Sequence, residues 1–98
     1  MRLTLEEVTA IKAAAAEAFG PGAVVRLFGS RVHDHLRGGD TDLHIEVEEG
    51  RQDVSSAGAF KWKLFELIDK RKVDLVLHAR GRALRAIDRI ALDEGIVL

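Results

Sequence analysis

The sequence contains no cysteine, which excludes disulfides and zinc–thiolate centres. It has no surplus of charge of either sign. Fifteen Lys and Arg stand against 16 Asp and Glu, a formal net charge of −1, so bulk charge gives no argument for nucleic acid or a membrane surface. No apolar run approaches the roughly 20 residues that cross a bilayer. The opening MRLTLEEVTA lacks the apolar stretch of a signal peptide. A cytoplasmic protein is expected. Length excludes more: 98 residues fit a single domain, 1–98, with no room for a second, substrate-binding one. A chain this short buries roughly 60–70% of the surface its unfolded form exposes, enough for one core. A hydrophobic content of 47% and a charged content of 32% are ordinary for a globular protein.

What is present reads as alternating helices and strands. Thr4 and Glu7 have capping-box spacing, and Leu5, Val8, Ile11, Ala15 and Phe19 follow at helical spacing until Gly20-Pro21-Gly22 stops the helix. Residues 23–29 are a β-branched apolar run, predicted as a strand. Residues 30–39 are turn-like and polar. Residues 41–49 alternate strictly, with Leu43, Ile45 and Val47 on one face and Asp42, His44, Glu46 and Glu48 on the other. Asp53 is placed to cap a helix whose inward stripe is Ala57, Phe60, Leu64, Leu67 and Ile68. Residues 72–78 read as a third strand, with Val73, Leu75 and Leu77 opposite Asp74, Val76 and His78. Residues 82–94 are predicted as a last helix with Leu84, Ile87, Ile90 and Ala91 inward and Gly95 at its C-terminus; residues 96–98 are a short tail. Strands with one apolar face need helices on that face only. The expectation is a two-layer α/β (α+β) domain with a small mixed sheet, helices on one face and an open polar face carrying Arg26, Asp42, His44, Glu46, Asp74 and His78.

The chemistry centres on residues 28–42, FGSRVHDHLRGGDTD. Period-2 geometry puts Asp40 and Asp42 on one side of a strand, their Cα atoms roughly 6.5–7 Å apart. Asp74 lies on the matching face of another strand. If those strands adjoin, three carboxylates converge, and they cannot all stay ionised without a cation or a shifted pKa. An all-oxygen set suits Mg²⁺, which completes its shell with water and phosphate oxygens. Gly29-Ser30, a small turn-forming pair after the first strand, leaves backbone N–H groups and a hydroxyl for a phosphate. Each element alone is commonplace: Asp-x-Asp recurs widely, Gly-Ser is usually a turn, and Asp74 by itself is a surface carboxylate. The combination points to phosphoryl or nucleotidyl transfer at a two-metal site.

The stretch LFGSRVHDHLRGGDTDLHIEV resembles the Gly-Ser and Asp-x-Asp signature of the DNA polymerase β-type nucleotidyltransferases, and more narrowly the minimal nucleotidyltransferases (MNT, MntA-like). The likeness extends from the leading helix through KVDLV to the closing IALDEGIVL. The resemblance implies that fold, with Gly29 and Ser30 binding a nucleotide triphosphate and Arg31 lying near phosphate. It implies that Asp40 and Asp42 ligate two Mg²⁺ ions and that Asp74 completes the catalytic metal site and helps deprotonate the attacking hydroxyl. Nine residues separate Ser30 from Asp40, one fewer than the family more often has. Gly39 stands where serine is common, and Val32-His33-Asp34 where ARG is frequent; the three carboxylates are intact.

The resemblance further implies ATP as substrate and a HEPN-domain toxin as partner. The chain would act as an antitoxin, transferring AMP to a hydroxyl of that partner. The chain has no tyrosine, so a tyrosine acceptor lies on another molecule. The alternative is a catalytically inactive module that neutralises the toxin by binding. A small-molecule transferase of the antibiotic-modifying kind is weaker for want of an acceptor domain. Neither membrane nor nucleic acid is expected as a direct ligand, and a homo-oligomer is left open.

The remaining residues read more plainly. His44 and His78 are expected as partly exposed residues held by neighbouring carboxylates, and Arg26 as an offset to Glu46. Arg80, Arg82, Arg85 and Arg89 form a basic side whose plain reading is a solvated face paired locally with Asp88 and Asp93, against contact with a partner or RNA. Trp62, flanked by Lys61 and Lys63, suits either an interface edge or core packing.

Overall fold

The computed structural model describes residues 3–29, 41–67 and 73–98. Helix α1 (Leu5–Phe19) leads into β1 (Val24–Phe28) and β2 (Thr41–Val47); α2 (Val54–Leu67), β3 (Val73–Ala79), α3 (Ala86–Glu94) and β4 (Ile96–Val97) follow. Thr4 caps α1 reciprocally: its Oγ1 accepts from the Glu7 N–H at 3.1 Å, while the Thr4 N–H donates to the Glu7 carboxylate at 3.0 Å. Asp53 caps α2 by accepting the Ser56 N–H at 2.6 Å.

The strands form one mixed sheet in the order β3-β2-β1-β4, with β2 and β3 parallel and β1 antiparallel to both its neighbours. Helices α1 and α2 cover one face. Ile11, Ala14, Ala15 and Phe19 meet Val25 and Leu27 of β1, Leu43, Ile45 and Val47 of β2, and Phe60 and Leu64 of α2. Phe19 and Phe60 join the two helices as a tilted aromatic pair, ring centroids 5.8 Å apart. Leu5, expected inward, is exposed at the helix start. No helix among the described residues is long and apolar enough to cross a membrane.

Two expectations are corrected. The second face of the sheet is not left open, because α3 lies over it. Asp88 and Ala91 of α3 are fully buried, and Asp88 reaches His44 on the central strand β2. Phe28, on the same face as Asp42, is buried as well, so this face carries apolar and polar groups that both need cover. In consequence α3 is rotated from the orientation hydrophobicity predicts: Leu84, Ile87 and Ile90 keep 41%, 36% and 46% of their surface. The tail, second, is an edge strand. Val97 and Ile96 pair with Arg26 and Leu27, and the Leu98 N–H donates to the Val25 carbonyl at 2.9 Å. Gly95 makes this turn. Its φ of −77° suits any residue, but a Cβ would overlap the Ala91 carbonyl oxygen and sit 3.2 Å from that of Leu27. The closeness of the turn to the last carbonyls of α3 is what demands glycine, with β1 adding a second tight contact.

Candidate active site

The parallel pairing of β2 and β3 sets Asp42 directly beside Asp74. Partners in register point to the same face, and adjoining strands lie about 4.8 Å apart. Two carboxylates therefore share one small area, Asp42 half-buried and Asp74 exposed. Like charges facing each other across a strand pair repel.

Gly29 closes the third side. It follows β1, whose last residue Phe28 is the register partner of Asp42. Its φ is +79°, the left-handed region that side chains disfavour. A Cβ at Gly29 would overlap the Asp42 carboxylate. Glycine is thus required twice, by backbone conformation and by the carboxylate lying against it. The sequence-predicted residues Gly29, Asp42 and Asp74 are brought together. Ser30, Arg31 and Asp40 lie outside the described residues. Among the described residues no three ligating side chains gather into one group; Asp42 and Asp74 stand as two. As a donor set, two carboxylates on one sheet face fit a hard divalent cation that draws its remaining ligands from water and phosphate.

Two residues along β2 from Asp42, on the same face, His44 is fully buried, against the expectation of partial exposure. Its Nε2 donates to Asp88 Oδ1 at 2.9 Å. Asp88 accepts three further hydrogen bonds, all from Arg85: from the backbone N–H at 2.8 Å, from Nε at 2.9 Å and from the terminal guanidinium nitrogen at 3.0 Å. The Arg85 guanidinium holds the Asp88 carboxyl well below the usual carboxylate range. Burial opposes that shift, and the Arg85 N–H and His44 add to it. Arg85 also donates to the Leu77 carbonyl at 2.5 Å, tying the start of α3 to β3. His78, likewise buried, donates through Nε2 to the Arg82 carbonyl at 3.0 Å and stacks on His44 with ring centroids 6.2 Å apart.

Three arginines of the expected basic side, Arg80, Arg82 and Arg85, are engaged inside the molecule. Arg80 donates to Glu46 at 3.0 Å and to the Gly22 carbonyl at 2.8 Å, taking the partner expected for Arg26. Arg82 pairs with Glu49. Asp88, expected on a solvated face, is instead the buried centre of a network. Sequence reasoning missed that role. The available signal was an arginine three residues before an aspartate at a helix start, the spacing at which a side chain reaches back to an orphan N–H.

A scan against protein-family models finds no family that matches the chain, and a search of curated proteins finds no match either.

Proposed function

We propose that the chain is a Mg²⁺-dependent nucleotidyltransferase with a polymerase β-type fold, which moves AMP from ATP to a hydroxyl of a partner protein and so acts as antitoxin to a HEPN-type toxin. The observation that carries the reading is the register pairing of Asp42 with Asp74, with the Gly29 backbone packed against Asp42. The placement of Asp40, Ser30 and Arg31 at the same site, the choice of ATP and the nature of the partner rest on the resemblance alone.

On this reading Asp42 and Asp40 hold the cation and Asp74 shares in it. When bound, Mg²⁺ supplies neutralising charge to the phosphate oxygens. The residues of the chain position and accept. The turn at Gly29-Ser30 orients the triphosphate through N–H groups and a hydroxyl. The acceptor oxygen forms a bond to the α-phosphorus, the bond to the bridging oxygen breaks, and pyrophosphate leaves with that electron pair. The acceptor proton passes to the Asp74 carboxylate, which lies at the exposed edge of the pair.

The test is label transfer from α-labelled ATP with Mg²⁺, with and without the co-purifying partner. Wild-type protein is expected to label the partner, and Asp42→Asn to lose transfer while still forming the complex. Label on no protein under any condition overturns the catalytic reading. Protection by Asp42→Asn equal to wild type points instead to neutralisation by binding alone.

A further inference from the structure

The inner side of α2 packs Phe60 and Leu64 into the core. Its outer side carries a second apolar strip that the fold leaves uncovered. Val54, Trp62 and Phe65 keep 89%, 72% and 64% of their surface. With Gly58 and Lys61 they fall within an arc of roughly 100° around the helix. Gly58, Lys61, Trp62 and Phe65 line one shallow concavity.

Gly58 is the informative member. Glycine within a helix is destabilising relative to alanine, and nothing among the described residues calls for it: a Cβ there would meet none of their atoms within 4 Å. The bare backbone is a hole on the surface. Phe65, two turns further on, lies at nearly the same angle around the helix and is a knob of matching kind. Hole and knob are separated by about 10.5 Å along the axis. A two-fold axis crossing α2 between residues 61 and 62 superposes each Phe65 on the Gly58 of a second copy, and brings the two Trp62 rings side by side beyond them. One strip thus contains both halves of its own complement, the requirement of an isologous contact. Lys61, the strip's charged member, keeps its ammonium in water while its stem lies along the rim.

We propose that the outer face of α2 is a homodimer contact, two copies packing α2 against α2 antiparallel with Phe65 of each seated over Gly58 of the other. The contact is independent of the catalytic reading, since α2 and the Asp42–Asp74 pair occupy opposite faces of the sheet. With large aromatics contributing about 150–250 Å² each when fully buried, the strip supplies about 400–500 Å² per copy. Two copies then bury at most about 800–1,000 Å², at or just under the lower limit for a specific interface. A weak dimer follows, since a contact of this size leaves little surplus over the cost of association.

Sedimentation velocity of the full chain from about 5 μM to about 1 mM tests this. The weight-average mass is expected to rise from one copy toward two. Trp62 is the chain's only tryptophan, so its emission should shift to the blue over the same range. Gly58→Leu should weaken association at least about tenfold, with an unchanged far-UV spectrum because the site is open in the monomer. Phe65→Lys should do the same, and combining it with Gly58→Glu should restore association at low salt, since the two new charges face each other across the axis. A wild-type chain that stays monomeric throughout, leaving the strip to a different protein, overturns the proposal. So does Gly58→Leu associating as tightly as wild type.

Discussion

Asp88 is the residue whose loss should harm the fold most relative to its size. It is a fully buried carboxylate accepting four hydrogen bonds, three from Arg85 and one from His44. Asp88→Ala strands the His44 Nε2–H in the interior and leaves the Arg85 N–H at the helix start without its acceptor. The Arg85 guanidinium is more than half exposed and regains water, so the cost is that of the stranded His44 donor, about 1–3 kcal/mol, plus the lost cap, about 0.5–2 kcal/mol, together a large part of the roughly 5–15 kcal/mol that a domain has. The expected fall in Tm is on the order of 20 °C for a domain of this size. Asp88→Asn keeps one acceptor oxygen and should cost about 1–3 kcal/mol. Urea unfolding followed by circular dichroism at pH 7 reads both. The pH dependence is a second test. The folded-state pKa of Asp88 is depressed, so its charge contributes stability in full above the unfolded value of about 3.9 and loses it as pH falls toward the folded value. The gap between wild type and Asp88→Asn should therefore be constant from pH 7 to about pH 5 and narrow below about pH 4. An Asp88→Ala protein within about 0.5 kcal/mol of wild type, the range of an ordinary surface substitution, would refute the burial of Asp88 beneath α3.

Other outcomes follow from the carboxylate pair. Gly29→Ala forces a side chain into positive φ, a cost of about 1–2 kcal/mol, and pushes the Asp42 carboxylate aside. Urea unfolding should register the first effect; on the proposed function, label transfer, down by at least about tenfold, registers the second. Asp74→Asn relieves the repulsion with Asp42, so without Mg²⁺ it should stabilise by a few tenths to about 1 kcal/mol while abolishing transfer. A lower Tm for Asp74→Asn in metal-free buffer would mean that the two groups do not repel.

The parts of the fold that were legible in the sequence are those where one physical effect acts alone. Residues 43–47 alternate because one face of β2 is buried, and the side chains of Leu43, Ile45 and Val47 are fully enclosed. Thr4 with Glu7, and Asp53, announce helix starts because orphan N–H groups need acceptors close by in sequence. The start of α3 was misplaced because Arg85 stands at its N-cap, a residue type that carries no capping signal. Its buried side was misread because hydrophobicity ranks Ile87 and Ile90 above Asp88, whereas Asp88 has four donors waiting for it. Those donors come from β2 and the turn before α3, and no local pattern reveals the contact with His44, 44 residues away. Strand β4 is two residues long, too short to show a period. Of the candidate site, the identity of Asp42, Asp74 and Gly29 was readable, but the parallel register that joins the two carboxylates was not.

That register is maintained by the opposite face of the sheet. Because side chains alternate strictly, a slip of one residue in β2 would carry Leu43, Ile45 and Val47 to the other side and Asp42, His44 and Glu46 into the core. Each of the three apolar side chains contributes about 1.5–3 kcal/mol by burial, so the native register is favoured by about 5–9 kcal/mol before the cost of burying the acids is counted. The repulsion between Asp42 and Asp74, two unit charges about 5 Å apart near the surface, is worth about 1–3 kcal/mol. The core wins, and it compels two carboxylates to share a place that neither would choose. His44 and Asp88 extend the same constraint on the second face, clamping β2 to α3 two residues from Asp42. On the proposed function, a divalent cation arriving at the pair would find its oxygen donors already gathered, the reorganisation having been met during folding by Leu43, Ile45 and Val47. Substitutions that loosen those three should therefore weaken Mg²⁺ binding before they unfold the chain, although none of them can touch the ion.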